Sequence, residues 1–329
     1  MILIAGDIGG TTSRFQWLDT LNANQLSIPI YYTSSDFPSF TALLLTLVHE
    51  HQIPPIDVAC FGLPGPINDT TIELTNLSWQ INPSDVKTAL NCEDVVLLND
   101  FHAIALGLNS LDDEALICLY SGQHDEHGNR LIVGAGTGFG VAPVCHIGQQ
   151  FYPQPSEGGH IAFAPVNRQQ ETLLAWAHRD CAHISYEYFL SGKGLQRLYQ
   201  FCCAGHDICS KDLTAAHIQR QAESGEESAV EALRLFVMIY GQFIGDLALI
   251  WPARAGIYIA GGIGAKISSW MMSADFKDSF LAKNEMSKLV ATMPVYLIVD
   301  EHVGLAGALA KARDIATSKR LNRDGEKTQ

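Results

Sequence analysis

The 329-residue chain contains no GxxxxGK[ST] run, which excludes a Walker-type phosphate loop, and none of its eight cysteines forms a CxxC pair. It also lacks a basic excess. Twenty-one Lys and Arg stand against 35 Asp and Glu, a net charge of −14, so the surface repels nucleic acid and anionic membranes. No long apolar run is uninterrupted: the most apolar window, Leu235 to Trp251, is broken by Gln242 and Asp246 and reads as a core helix. Met1 to Ala5 carries no basic leader and Asp7 follows at once, so no signal peptide is expected. The cysteines, at 60, 92, 118, 145, 181, 202, 203 and 209, are expected as reduced, mostly buried thiols of a cytoplasmic protein. A metal held by Cys203, His206 and Cys209, with help from Cys202, is the alternative, but the spacing matches no paired-Cys zinc pattern. The only basic clustering, Lys319, Arg320 and Arg323, is expected to be a polar, frayed tail over 319–329.

What the chain does have is apolar residue, 47% of the total, enough for a sizeable core and two lobes. Its first strand, from Ile2, runs into Gly6-Asp7-Ile8-Gly9-Gly10-Thr11-Thr12, and Arg14 to Leu18 then alternates polar and apolar. That pattern predicts a β-hairpin whose bare amides and threonine hydroxyls suit phosphate, with Asp7 placed to hold a cation; an ordinary Gly-rich turn would look the same. A helix is predicted from Phe40 to the Pro54-Pro55 stop, then a strand over 56–62 ending in Pro64-Gly65-Pro66. Val95 to Leu98 reads as a buried strand delivering Asn99 and Asp100 at its carboxyl end, the place for a helix cap or for ligand chemistry.

Leu108 to Glu114 is a polar bridge and a plausible boundary. After it, Leu131 to Ala142 repeats the strand–glycine loop–strand pattern with Gly136, Thr137 and Gly138 at the turn, which suggests a duplicated fold. The G-x-G-x-G-x-G spacing is not a dinucleotide fingerprint. Glu157 and His160, three apart around two glycines, suit forked hydrogen bonding of a polyhydroxyl ligand, although a solvated loop would read alike. Glu187 lies among aromatics and needs a partner if buried, and Ser191 to Gly194 reads as a turn before the next helix. A long helix is predicted over 226–250, then a strand ending in Gly261-Gly262, a buried strand over 295–299, and a helix from His302 to Ala316.

Five segments in this order, GDIGGTT, NDFHAIALG, GAGTGFG, AGGIG and VGLAGALA, resemble the sugar-kinase branch of the actin and Hsp70-like ATPases. LLNDFHAIALG, SEGGH and the YEYFLSGKGL context of Glu187 narrow the resemblance to the bacterial glucokinase family without the zinc motif, over residues 3 to about 313. It implies an α/β, two-lobed actin-like ATPase (ribonuclease H-like) fold with duplicated α/β halves. A small domain over 1–110 would be completed by the C-terminal helix 301–318, with a large domain over 111–300. It also implies ATP-dependent phosphorylation of the glucose 6-hydroxyl, with Asn99, Asp100, Glu157, His160 and Glu187 on the hexose, Asp100 as the base and Asp7 organising Mg²⁺. Gly6, Asp7, Ile8, Gly9, Gly10, Thr11, Thr12, Gly136, Thr137, Gly138, Gly261 and Gly262 would line the nucleotide, and a homodimer is suggested. The chain departs from the family's pattern at Thr12, commonly Asn, and at Ala162, commonly an acid, which bears on sugar selectivity. A kinase for another hexose or amino sugar, and a non-catalytic sugar or ATP sensor, are the rival readings.

Overall fold

The computed structural model describes every residue except 23–24, 66, 68–70, 75–76, 206–212 and 327–329, so the suggested ligands His206 and Cys209 lie outside the described residues. Among the described residues no cluster of three or more His, Cys, Asp or Glu is placed to hold a metal. The chain divides into two units, Met1–Asp112 with His302–Gln329, and Asp113–Glu301; the first break falls inside the polar stretch read as a boundary.

In the first unit, β1 (Ile2–Ile8) pairs antiparallel with β2 (Thr12–Asp19). β3 (Gln25–Leu26) and β4 (Ile30–Thr33) extend that side. On its other edge β1 runs parallel to β5 (Val58–Leu63); β6 (Ile72–Glu73) and β7 (Gln80–Ile81) form a separate hairpin, and β8 (Val95–Asn99) completes the main sheet parallel to β5. Alternate side chains go to opposite faces. Ile2, Ile4, Ile8, Phe15 and Phe61 pack with Phe40, Leu43, Leu44 and Leu47 of the helix Phe40–Glu50, while Leu3, Ala5, Val58, Cys60 and Leu98 pack with Leu305, Ala308, Leu309 and Ala312. Burial on both faces explains why these strands are near-continuous apolar runs.

Leu305 to Ala312 belong to the helix Val303–Glu326, so the segment expected as a tail after 318 is helical through Glu326. Two of its cations are anchored: Lys319 pairs with Asp94, and Arg320 Nη2 donates to Thr20 Oγ1 at 3.2 Å. Fraying was expected from polarity alone; tertiary partners outside the local sequence oppose it.

In the second unit, β9 (Leu116–Tyr120), β10 (Arg130–Ala135), β11 (Phe139–Ile147), β12 (Gln150–Pro153), β13 (Ile257–Ala260) and β14 (Val295–Ile298) form one sheet in the order β12-β11-β10-β13-β14-β9. β10 carries an antiparallel hairpin on one side and two parallel strands on the other, as β1 does in the first unit. β9 adds an antiparallel edge. The helix Glu227–Ile250 is long and apolar enough to cross a membrane, but most of it is buried in this unit's core. The described cysteines are all free; Cys60, Cys92, Cys202 and Cys203 are buried as expected, whereas Cys118 and Cys181 are exposed.

Candidate active site

In the first unit the site is built where β1, β5 and β8 end. Asn99 caps the helix Asp100–Gly107: its Oδ1 accepts from the backbone N–H of Phe101 at 3.0 Å and of His102 at 3.3 Å. Its Nδ2 donates to the Gly65 carbonyl at 3.0 Å, which fixes the loop after β5. Asp100 opens the helix, with Oδ1 accepting from Phe101 N–H at 2.9 Å. Burial, then the negative charge of Asp7, push the Asp100 carboxyl up to about 7, against hydrogen bonds that favour its ionised form. Asp7 is also raised, by burial, and its partner Arg14, Nη1 to Oδ2 at 3.5 Å, opposes the rise together with His302.

The loop after β1 is braced by two serines that carry no motif signal. Ser34 Oγ donates to the Gly9 carbonyl at 2.7 Å and lies 2.9 Å from Ser13 Oγ, both side chains fully buried, and Ser34 N–H donates to Thr11 O. Gly9 N–H donates to Thr12 O, and a Cβ on Gly9 would stand 2.6 Å from that oxygen. Gly6 has a different reason to be glycine, because a Cβ there would come 2.8 Å from the Phe61 ring. Ile8 is buried, so only its backbone is available to a ligand. Gly304, at the start of the C-terminal helix, would place a Cβ 3.2 Å from the Asp7 carboxyl carbon.

In the second unit, Glu157, His160 and Glu187 converge. The short 3-10 helix Gly158–His160 and the turn before Tyr186 are tied by Phe163 N–H to Ile184 O at 2.8 Å and Tyr186 N–H to Ile161 O at 3.0 Å, with Ala162 bridging Ser185. His160 Nε2 then lies 4.0 Å from Glu157 Oε2 and 3.9 Å from Glu187 Oε1. Glu187 also finds the partner its surroundings demand, since Oε2 accepts from Phe139 N–H at 2.8 Å. Beneath it, Tyr186 stacks on Phe243 and donates to Asp246 Oδ2 at 3.0 Å; Gln242 and Lys283 join the same network, Lys283 Nζ reaching Asp246 Oδ1 at 2.6 Å. These anchors were missed in sequence, and the one trace of them was the pair of polar residues interrupting the apolar helix.

Gly136 and Gly262 face open space where a side chain would stand. Gly261 adopts φ +89°, the left-handed region that glycine enters freely, and a Cβ there would come 2.5 Å from the Ala135 carbonyl oxygen. The segment 192–194, expected as a turn, is instead the first turn of the helix Gly192–Gly205, and Gly192 N–H donates to Gly136 O at 2.9 Å. A glycine can open a helix where its N–H has a tertiary acceptor.

The family model described as Glucokinase matches residues 4–315. A glucokinase of Agrobacterium fabrum is 32% identical over 94% of this chain and 92% of its own, and one of Nostoc is 33% identical over 93% and 97%. A crystal structure of glucokinase from an Antarctic psychrotroph superposes with a TM-score of 0.82 at 32% identity, covering 95% of this chain and 99% of that one. A Streptomyces griseus ROK family glucokinase, solved with glucose and AMPPNP, shares the fold at a TM-score of 0.64 and 18% identity.

Proposed function

The chain belongs to the glucokinase family, with its two-lobed actin-like ATPase fold, and is an ATP-dependent glucose-phosphorylating enzyme. From that premise we propose that Asp100 is the general base at the glucose 6-hydroxyl, that Asn99, Glu157, His160 and Glu187 complete the sugar contacts, and that Asp7 holds Mg²⁺. The observation that carries the first assignment is the Asp100 carboxyl itself, held at the carboxyl end of β8 with a pKa pushed up to about 7, where a base can both accept a proton and exist ionised near neutrality.

Asp100 accepts the proton of the hydroxyl as the oxygen–phosphorus bond forms and the bond from the γ-phosphorus to the bridging oxygen of ADP breaks. Little covalent chemistry is asked of the protein beyond alignment and charge neutralisation. Backbone N–H groups of the loops Gly9–Thr12, Gly136–Gly138 and Gly261–Gly262, other than those of Gly9 and Gly136, which close the turns themselves, supply donors to the phosphates together with the Thr11 and Thr137 hydroxyls, in place of a Walker lysine. Asp7 would hold the magnesium ion, because it is a hard oxygen donor whose charge burial leaves poorly solvated. When bound, that ion neutralises charge on the transferred group. Asn99 contributes mainly by holding the helix start and the Gly65 loop, leaving one amide N–H for a hydroxyl. The reading extends to a cytoplasmic homodimer whose partners are glucose and ATP rather than nucleic acid or membrane, in keeping with the charge of −14.

A coupled assay of ADP release with Mg-ATP and a panel of hexoses tests the reaction: glucose 6-phosphate is the expected product, and no sugar phosphate from any hexose would indicate a sensor. For Asp100→Asn, glucose binding persists and kcat falls by ~10²- to 10⁴-fold. A near-normal kcat removes Asp100 from the role of base.

A further inference from the structure

Glu187 divides its carboxylate between two tasks. Oε2 accepts from Phe139 N–H at 2.8 Å, while Oε1 is turned toward His160, 3.9 Å from Nε2. Phe139 is the residue at which the loop Gly136–Gly138 re-enters the sheet as β11. That loop is closed on itself by Gly136 N–H to Gly138 O at 2.8 Å, and is held from the far side by Gly192 N–H on Gly136 O. Two glycines make the grip possible. A Cβ on Gly138 would stand 2.5 Å from Glu187 Oε2, and a Cβ on Gly159, in the turn carrying His160, would overlap the Phe139 carbonyl oxygen. The Phe139 residue is therefore clasped on its N–H side by Glu187 and on its carbonyl side by the segment that presents His160.

We propose that Glu187 is a positioning residue for the nucleotide as well as a sugar ligand, coupling sugar occupancy to the phosphate loop through the Phe139 N–H. The proposal rests on the reading above, that Glu187 meets the sugar and that the loop meets phosphate. A hydroxyl bound to Oε1 fixes the carboxylate plane, the carboxylate fixes the direction of the Phe139 N–H, and the loop N–H groups beside it are thereby set for phosphate. An interaction shared by two sites in this way appears as a coupling free energy, equal in both directions.

The test is equilibrium binding of Mg-ADP with and without saturating glucose, in the wild type, Gly138→Ala, Glu187→Asp, Glu187→Ala and the double variant Gly138→Ala/Glu187→Asp. The wild type should bind ADP ~5-fold or more tightly when glucose is present. Gly138→Ala, a change in the nucleotide loop, should weaken glucose about 10-fold and bring the coupling factor close to 1, because the new methyl displaces the carboxylate from Phe139. Glu187→Asp draws the carboxylate back by one methylene, so adding Gly138→Ala to it should cost nothing further. Should Gly138→Ala fail to fold, Glu187→Ala carries the test alone: its coupling factor falls to 1 if the proposal holds. A residue that only binds sugar would lower glucose affinity and leave the factor at its wild-type value, and that result overturns the coupling. Unchanged glucose affinity in Glu187→Ala would instead overturn the assignment of Glu187 to the sugar.

Discussion

At the scale of single residues, the arrangement of Asp7 and Asp100 exchanges stability for chemistry. Both carboxyls are raised mainly by burial, and the charge of Asp7 is the second cause at Asp100. A group whose acid form is favoured by folding holds more protons in the native than in the unfolded chain between about pH 4 and pH 7, so it lowers stability as pH rises through that window. Asp100→Asn removes the charge and should therefore raise Tm at pH 8, with little change at pH 4; equal Tm differences at both values would mean that the carboxyl is not strained. The same titration sets the activity profile. In the free enzyme kcat/KM should fall about tenfold per unit below pH 7, reporting protonation of the base. Asp7→Asn should move the Asp100 carboxyl downward, followed by carboxyl-carbon NMR titration without any substrate. Asn99 shows what sequence could and could not say at this scale: a polar residue at a strand end was visible, but which of two neighbours caps the helix depends on side-chain directions that only the fold determines.

The elements explain why residues far apart in the chain meet. Glu157 and Glu187 converge because the segments at 161–163 and 184–186 pair through backbone hydrogen bonds, and backbone pairing leaves almost no residue signature. By contrast, the hairpins β1–β2 and β10–β11 were legible from glycine loops flanked by alternating or buried runs, since period and turn chemistry are local properties. The helix Glu227–Ile250 lies between these cases. Its pattern was plain, yet Gln242 and Asp246 gained meaning only from Tyr186 and Lys283, whose distance in sequence hides the network. Lys283 is nearly buried, 7% exposed, whereas Asp246 keeps 39%, so the pair is worth less than a fully buried one. Lys283→Ala should cost about 2 kcal/mol, against ~3–5 for breaking a fully buried pair. In a unit of this size that corresponds to a Tm lowered by ~4–8 °C. Because the network supports the turn bearing Glu187, KM for glucose should rise in the same variant while kcat changes less.

On the scale of the whole molecule, each unit repeats one arrangement, an antiparallel hairpin and two parallel strands flanking a central strand, and the first unit is completed only by the end of the chain. The helix Val303–Glu326 covers one face of its sheet and crosses the helix Asp100–Gly107 closely: a Cβ on Gly107 would overlap the Val303 carbonyl, and one on Gly307 the Ala103 carbonyl. The partners of Gly307 in this crossing, Ala103 and Gly107, lie about two hundred residues earlier in the chain, so no local pattern announces them. Two leucines and three alanines of that face are buried, Leu305, Leu309, Ala308, Ala312 and Ala316. At ~2–3 kcal/mol for each leucine and about 0.8 for each alanine methyl, they contribute on the order of 7 kcal/mol, comparable with the net stability of an ordinary domain. Ending the chain at Glu301 should therefore unfold the first unit. Cys60 reports it directly, since its thiol is fully buried against this helix and burial pushes its pKa up to about 12. In the full chain it should resist a thiol reagent at pH 8, and in the shortened one it should react at the rate of an open cysteine. Continued protection of Cys60 without the helix would show that the first unit stands on its sheet and the helix Phe40–Glu50 alone.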